Sequence, residues 1–399
     1  MRVVDINEFY SPTGGGVRTY LERKMAIMAE MGHELIVIAP GKEDGVEERV
    51  GGGRICWVKS LPMVVDKNYR LFWAEAPIHR LLDSLKPDIV ETSSPWRPGW
   101  ILANWQGDAP KVFFAHNDNV AAYPLRWFER LASPKKIEEA FGWYTRRMDG
   151  FLQHYDAFVT NGPALFKRYA KRGLKVHASM ALGIERGFFS PTLRDEKLRS
   201  ALLEQLDLPP HGHLLLGLGR HHPEKRWPMV FDAVETAGHD LPVGMILIGQ
   251  GVDRRRLERR IAGSPHIKMF HPVYDRPRLA RIMASCDALI HGSDAEPFGL
   301  VGLEAVASGL PLVVPDEGGL FEISDPLYAE TYRARDAHSA AEAILRLFGR
   351  DQRILKAAAN HAAGQVRTDR DHVVDLLAYY ESLIREKAGD VPLLGRGAA

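Results

Sequence analysis

Apolar and polar positions along this chain follow two rhythms. Short runs of consecutive Val, Ile and Leu read as strands buried on both faces, and longer stretches with apolar residues at i, i+3 and i+4 read as amphipathic helices. Strands are predicted over 2–6, 34–39, 54–59, 88–92, 111–115, 156–160 and 175–180, and again over 213–218, 242–248, 267–270, 287–291 and 312–314. Helices are predicted after Gly16, over 69–85, 163–172, 227–237, 337–349 and 351–363, and from about 371 to 387. Such alternation means parallel sheets with helices on both faces, an α/β chain. Two features interrupt it. Residues 120–148 are aromatic, basic and helical in pattern, and Gly183 to Pro191 reads as a linker.

Length and composition refine this picture. A chain of 399 residues suits two domains, each with its own core. Hydrophobic content of 45% and charged content of 26% are ordinary for a soluble globular protein. The net charge of +1 rules nothing out by itself, and no nucleic-acid partner is expected. The segment from Met1 to Asp5 reads as a strand with an acid in it rather than a signal peptide, and no apolar run is long enough to span a bilayer. Cys56 and Cys286 lack CxxC spacing and suit a reducing cytoplasm.

The most chemically pointed stretch runs from Asp294 to Pro311. Gly292 and Ser293 turn the chain after a strand, Pro297 sits where a helix can begin, and Gly309 with Pro311 stops it. Glu296 then stands at a helix mouth with Glu304 inside the helix. Eight helical residues rise about 12 Å, close to the span of a nucleotide sugar from hexose to ribose. The helix N-terminus between them suits a diphosphate. Gly14, Gly15 and Gly16 form a strand-to-helix turn whose backbone can approach a phosphate or sugar, or simply make a tight turn. His116 follows a strand end, where ligands sit in parallel sheets. Capping that strand end is its other reading, and Asn117 and Asp118 beside it are acceptor contacts or turn residues. Arg220 and Lys225 follow another strand end, where two cations can offset charge on a departing diphosphate or simply stand solvated at a surface turn.

The stretch from Asp294 to Pro311 resembles the Glu-x7-Glu signature of the family 4 retaining glycosyltransferases. The resemblance covers essentially the whole chain and implies the GT-B fold, two facing Rossmann-like domains with a cleft between them. The domains are expected at 1–187 (acceptor side) and 188–370 (nucleotide-sugar side), with 371–399 crossing back as a final helix. It further implies that Gly15 and Gly16 face the donor phosphates and that His116 contacts the transferred sugar. Arg220 and Lys225 would neutralise the diphosphate. Glu296 and the backbone of Phe298, Gly299 and Leu300 would hold the sugar, and Glu304 the ribose. The family reads the base from a Phe-x-Gly turn, whereas this chain has Phe270, His271, Pro272 and then Val273. Val273 is the donor contact expected there, and Pro272 offers no N–H.

The expected activity is metal-independent transfer of a hexose, with no cofactor, from a nucleotide diphosphate sugar. UDP-glucose or UDP-glucuronate is the favoured donor, and GDP-mannose for an α-mannosyltransferase is the alternative. A GT-B epimerase and a non-catalytic sugar-nucleotide binder are the remaining readings. Sixteen histidines do not make a metal site, since His211 and His213 lie at one end of a strand and His221 and His222 at the other. The acidic triplet at Asp369 to Asp371 sits where acids cap a helix. Residues 111–190 hold 13 Lys/Arg against 7 Asp/Glu. Within them, Arg126, Trp127, Phe128 and Arg130 suggest a helix lying on an anionic membrane surface, with a glycerolipid such as diacylglycerol as acceptor. An ordinary core helix and a soluble glycan acceptor are the other outcomes.

Overall fold

The computed structural model of the protein describes residues 1–10, 16–62, 70–122, 124, 128 and 131–389. Its strands in chain order are β1 (Arg2–Ile6), β2 (Glu34–Gly41), β3 (Gly45–Glu48), β4 (Arg54–Lys59), β5 (Leu61–Pro62), β6 (Arg70–Leu71), β7 (Ile89–Thr92), β8 (Lys111–Ala115), β9 (Ala157–Thr160) and β10 (Ala178–Ser179). Then follow β11 (His213–Leu218), β12 (Val243–Ile248), β13 (Ile267–Phe270), β14 (Ala288–Ile290), β15 (Leu312–Pro315) and β16 (Ala329–Tyr332). An eight-stranded sheet has the order β10-β9-β8-β7-β1-β2-β4-β3, and a six-stranded sheet the order β13-β12-β11-β14-β15-β16. Pairing is parallel throughout both sheets except for β3, which runs antiparallel on the β4 edge. β5 and β6 form a separate small hairpin.

The strand order reverses twice, between β1 and β7 in the first sheet and between β11 and β14 in the second. In such sheets the crevice at the carboxyl ends of the reversing strands is where ligands sit. Along each strand, alternate residues bury on opposite faces. Val4, Ile36, Val90 and Phe113 join one core, and Val3, Leu35, Ile89 and Val112 the other. That two-faced burial is why the strands read as unbroken apolar runs.

The helix Asp369–Ala388 buries Val373, Leu376, Leu377 and Tyr380 in the same core as Val3 and Leu35. Its start is a capping box, with Thr368 and Asp371 bonding each other's backbone N–H. Asp369, the other acid of that triplet, pairs with Arg23 at 3.1 Å.

Three expectations change. The helix predicted over 69–85 is Ala76–Leu85, with Pro77 in its first turn, because Arg70–Leu71 pairs with Leu61–Pro62 instead. The strand at 175–180 shrinks to Ala178–Ser179. The helix after Glu296 begins at Leu300 rather than Pro297, because Gly299 takes φ +88°, where an L side chain is strained.

Candidate active site

A cleft of about 550 Å³ lies where the carboxyl ends of the two sheets face each other. One wall carries Asn7, Tyr20, His116, Asn117 and Asn161, and the other Arg220, Glu224, Lys225, Glu296 and Glu304. Both switch points open onto it. Asn7 follows β1, while Arg220 and Lys225 follow β11 and Glu296 follows β14.

The charged wall is assembled by tight local turns. After β11 the chain makes a short 3-10 turn, Pro223–Lys225, capped by the His222 side chain. Trp227, buried at the start of the next helix, donates from Nε1 to the Arg220 carbonyl at 2.9 Å and fixes that turn. Lys225 Nζ bonds the Glu296 carboxylate directly. It also lies 3.4 Å from Glu224 Oε1, and Arg220 lies 3.3 Å from Glu224 Oε2. Burial alone would raise the Glu296 carboxyl. Lys225 and Arg220 outweigh it and hold that carboxyl below its ordinary value. Buried His291 lies 3.9 Å from Glu296 and is pushed down to about 3, by burial first and then by Lys225, so it is neutral. Glu304 differs. Burial raises it to about 7, against the partial pull of Arg276 and Arg23.

Asp294 braces this wall. Its carboxylate accepts from Arg226 Nε at 3.1 Å and from Arg335 Nε at 2.7 Å, and it is 1% exposed. Arg226 directly follows Lys225, so this pair ties the Lys225 turn to the Glu296 loop. Both arginines hold positive φ, 50° and 70°, the kind of strain that a structure tolerates where a site demands it. Arg168, from the opposite sheet's side, donates to the Asp294 carbonyl at 2.5 Å. Gly318 and Gly319 pack against the backbone of Asp294 and Phe298. Gly319 N–H donates to the Glu296 carbonyl at 2.7 Å, and a Cβ there would meet Phe298 backbone at 2.4 Å.

The other wall is neutral. His116 stacks on Phe114 with ring centroids 4.4 Å apart and meets the Tyr20 ring edge at 5.1 Å. Burial, then His372 and Lys24, push its imidazole down to about 3. Tyr20 is itself fixed by a 2.9 Å hydrogen bond between its hydroxyl and His372 Nε2, so the last helix buttresses this wall.

Comparison with known proteins decides what family this cleft belongs to. The model for Glycosyltransferase Family 4 matches residues 14–178, and that for Glycosyl transferases group 1 matches residues 212–350. The chain belongs to glycosyltransferase family 4. A GDP-mannose-dependent alpha-(1-6)-phosphatidylinositol dimannoside mannosyltransferase of Mycobacterium tuberculosis is 28% identical over 372 residues, 91% of this chain and 92% of that one. A GDP-mannose-dependent alpha-mannosyltransferase of the same species is 26% identical over 397 residues, 96% and 97% of the two chains. The sucrose-phosphate synthase of Thermosynechococcus elongatus superposes with TM-score 0.73 at 15% identity, covering 97% of this chain and all of its own, and shows the shared GT-B fold.

In this glycosyltransferase the cleft brings together most of the residues singled out in the sequence. His116, Asn117, Arg220, Lys225, Glu296, Phe298, Gly299, Leu300 and Glu304 all line it. Gly16 opens the helix Gly16–Glu30, whose Val17 and Tyr20 reach the cleft. Asp118 points elsewhere, buried against Arg172 at 2.7 Å. Val273 packs against the second sheet's core and is not among the residues lining the cleft. Gly15, Arg126, Trp127 and Arg130 lie outside the described residues, and Phe128 is exposed, packed on Phe141. Asp294 stood in the sequence motif without a role of its own, and Trp227, Asn7 and Asn161 were not anticipated as site residues. Asn7 and Asn161 each stand directly after a strand's carboxyl end, the same signal that found His116.

Proposed function

We propose that this glycosyltransferase moves mannose from GDP-mannose, with retained configuration and without a metal, to a hydroxyl of a glycan or glycolipid. The observation that carries the reading is the meeting of Arg220, Lys225 and Glu296 on one wall, opposite neutral His116. Relatives whose names specify GDP-mannose support that donor over the UDP-sugars expected from sequence.

Lys225 and Arg220 are aimed where the diphosphate gains charge as the glycosidic bond breaks. Glu296, held ionised by Lys225, and the backbone from Phe298 to Leu300 take the sugar hydroxyls. Glu304 takes the ribose hydroxyls, and Gly16, which opens the first helix, approaches the phosphates from the other domain. Glu224 and Glu296 are both engaged with Lys225, which favours direct attack over a glycosyl–enzyme intermediate. The bond from the anomeric carbon to the diphosphate breaks, the acceptor oxygen bonds that carbon on the same face, and its proton passes to the departing phosphate oxygen. Incubation with radiolabelled GDP-mannose, UDP-glucose and UDP-glucuronate tests this. Transfer from GDP-mannose with an α-anomeric proton signal in the product is expected. Isomerised donor, or binding without turnover, contradicts it.

A lipid-bearing acceptor is supported by a surface on the first domain. Leu131 is 82% exposed and Trp143 46%, with Trp96 and Phe128 also exposed. The rings run in sequence from Phe128 to Phe141, Trp143, Tyr144 and Trp96, and Lys135, Lys136 and Arg146 are exposed nearby. Exposed aromatic and cationic groups together suit a membrane interface. Flotation with anionic liposomes should weaken with salt and in a Leu131→Ser/Trp143→Ser variant. Wild-type protein unbound at low salt would remove the lipid surface from the account. Among the described residues no helix is long and apolar enough to cross a membrane.

A further inference from the structure

The two walls of the cleft differ in charge, and the difference bears on what the acceptor can be. Asn7, Tyr20, His116, Asn117 and Asn161 carry no charge when His116 is neutral. Among the described residues behind this wall, Lys24 is paired with Glu91 and Asp118 with Arg172.

Within this wall one atom stands out. Asn161 is 3% exposed, and its Nδ2 donates to the His116 carbonyl at 3.0 Å. A carbonyl only accepts, so the amide NH2 must face it, and the orientation of the side chain is fixed. The amide oxygen Oδ1 is thereby turned away, buried and without a hydrogen-bond partner. A buried acceptor left unmade is costly, and native proteins keep one where a ligand or water completes it. Asn7 is different, because its amide is already engaged by Asp5, Ser93 and the Phe9 N–H. Asn117 has spare capacity, its Nδ2 making one long contact of 3.4 Å to Asn119.

We infer that Asn161, with His116 and Asn117, forms an acceptor subsite for an uncharged polyol ring, a sugar or cyclitol, with Asn161 Oδ1 accepting a hydrogen bond from one of its hydroxyls. A hydroxyl supplies the donor that Oδ1 lacks. A phosphate or carboxylate on the same ring would bring anionic oxygens against an amide oxygen, with no cation among the described residues of that wall to offset them. The subsite therefore selects neutral acceptor rings over their phosphorylated counterparts, and Asn161 determines that specificity. This rests on the glycosyltransferase reading given above.

The test uses the full-length enzyme with GDP-mannose and paired acceptors: methyl α-mannoside against mannose 6-phosphate, and myo-inositol against inositol 1-phosphate. GDP release without acceptor is measured in parallel. The neutral member of each pair should be preferred by about tenfold or more in kcat/KM. Asn161→Ala should raise acceptor KM about tenfold while leaving the KM for GDP-mannose unchanged, a split that general loss of structure does not give. Asn117→Arg should shift the preference toward the phosphorylated member. Preference for phosphorylated acceptors in the wild type, or an unchanged acceptor KM in Asn161→Ala, overturns the inference while leaving the donor chemistry standing. Absence of any GDP release or donor binding instead removes the proposed function, and the subsite with it.

Discussion

The wall proposed for the donor and the wall proposed for the acceptor face the same cleft but are built on opposite principles. On the donor side the charges other than Glu304 are paired and braced: Lys225 with Glu296, Arg220 with Glu224, and Arg226 and Arg335 with Asp294. On the acceptor side the lining is amide, imidazole and phenol, held by packing and by a buried network behind it in which Lys24 and the Tyr380 hydroxyl both bond Glu91. A site that receives a leaving group of growing negative charge needs fixed cations. A site for a neutral hydroxyl needs shape and a few unfilled hydrogen-bonding positions.

Removing a brace should do most damage. Asp294→Ala leaves the Arg226 and Arg335 guanidiniums together without their carboxylate. Loss of one member of a buried charged set costs about 3 kcal/mol or more. A lowered urea midpoint is expected, with transfer activity lost alongside. Wild-type stability would mean that the brace is ornamental and the comparison misdrawn.

Next in size is Lys225→Ala, for which kcat should fall on the order of 100-fold or more, as for loss of an oxyanion-type donor. Steady-state turnover with saturating donor measures it. A change confined to KM would place Lys225 in ground-state binding alone.

A smaller effect sharpens the donor side further. Glu304 titrates at about 7, so at pH 6 it is mostly protonated and at pH 8 mostly ionised. Ribose hydroxyls bond a carboxylate more strongly than a carboxylic acid, by about 1 kcal/mol, or roughly fivefold in affinity. GDP binding by calorimetry should therefore weaken about fivefold from pH 8 to pH 6, and Glu304→Gln should abolish that dependence. Stability runs the other way. A carboxyl raised in the folded state contributes most in acid and loses that contribution as pH rises through about 7. The smallest effect belongs to EDTA. Turnover should be unchanged in it, because Arg220 and Lys225 supply the positive charge; loss of activity restored by magnesium would contradict that role.

The same contrast explains what was legible in the sequence. The donor wall comes from two short segments, 220–226 and 294–304, whose charged residues stand close together and can be read as strings. The helix Trp227–Ala237 and the strand His213–Leu218 were readable for the same local reason. Asn7, His116 and Asn161 lie far apart in the chain and meet only because β1, β8 and β9 end on one edge. The strand-end rule and the family resemblance pointed to His116, while Asn7 and Asn161, at the same kind of position, went unremarked. Arg335 could not be read at all, since its pairing with Asp294 depends on a φ of 70° beyond β16. The start of the helix at Ala76 was missed because the two-residue pairing of β5 with β6 leaves almost no pattern in sequence.

The division between the walls is tested most directly by measuring GDP affinity and acceptor KM in the same pair of variants, Lys225→Ala and Asn161→Ala. GDP affinity should fall about tenfold or more in Lys225→Ala and stay at the wild-type value in Asn161→Ala, because a charge-assisted bond to phosphate is lost only in the first. Acceptor KM should respond in Asn161→Ala. If Asn161→Ala weakens GDP as much as Lys225→Ala does, the walls are not separate donor and acceptor surfaces, and the account fails at its centre.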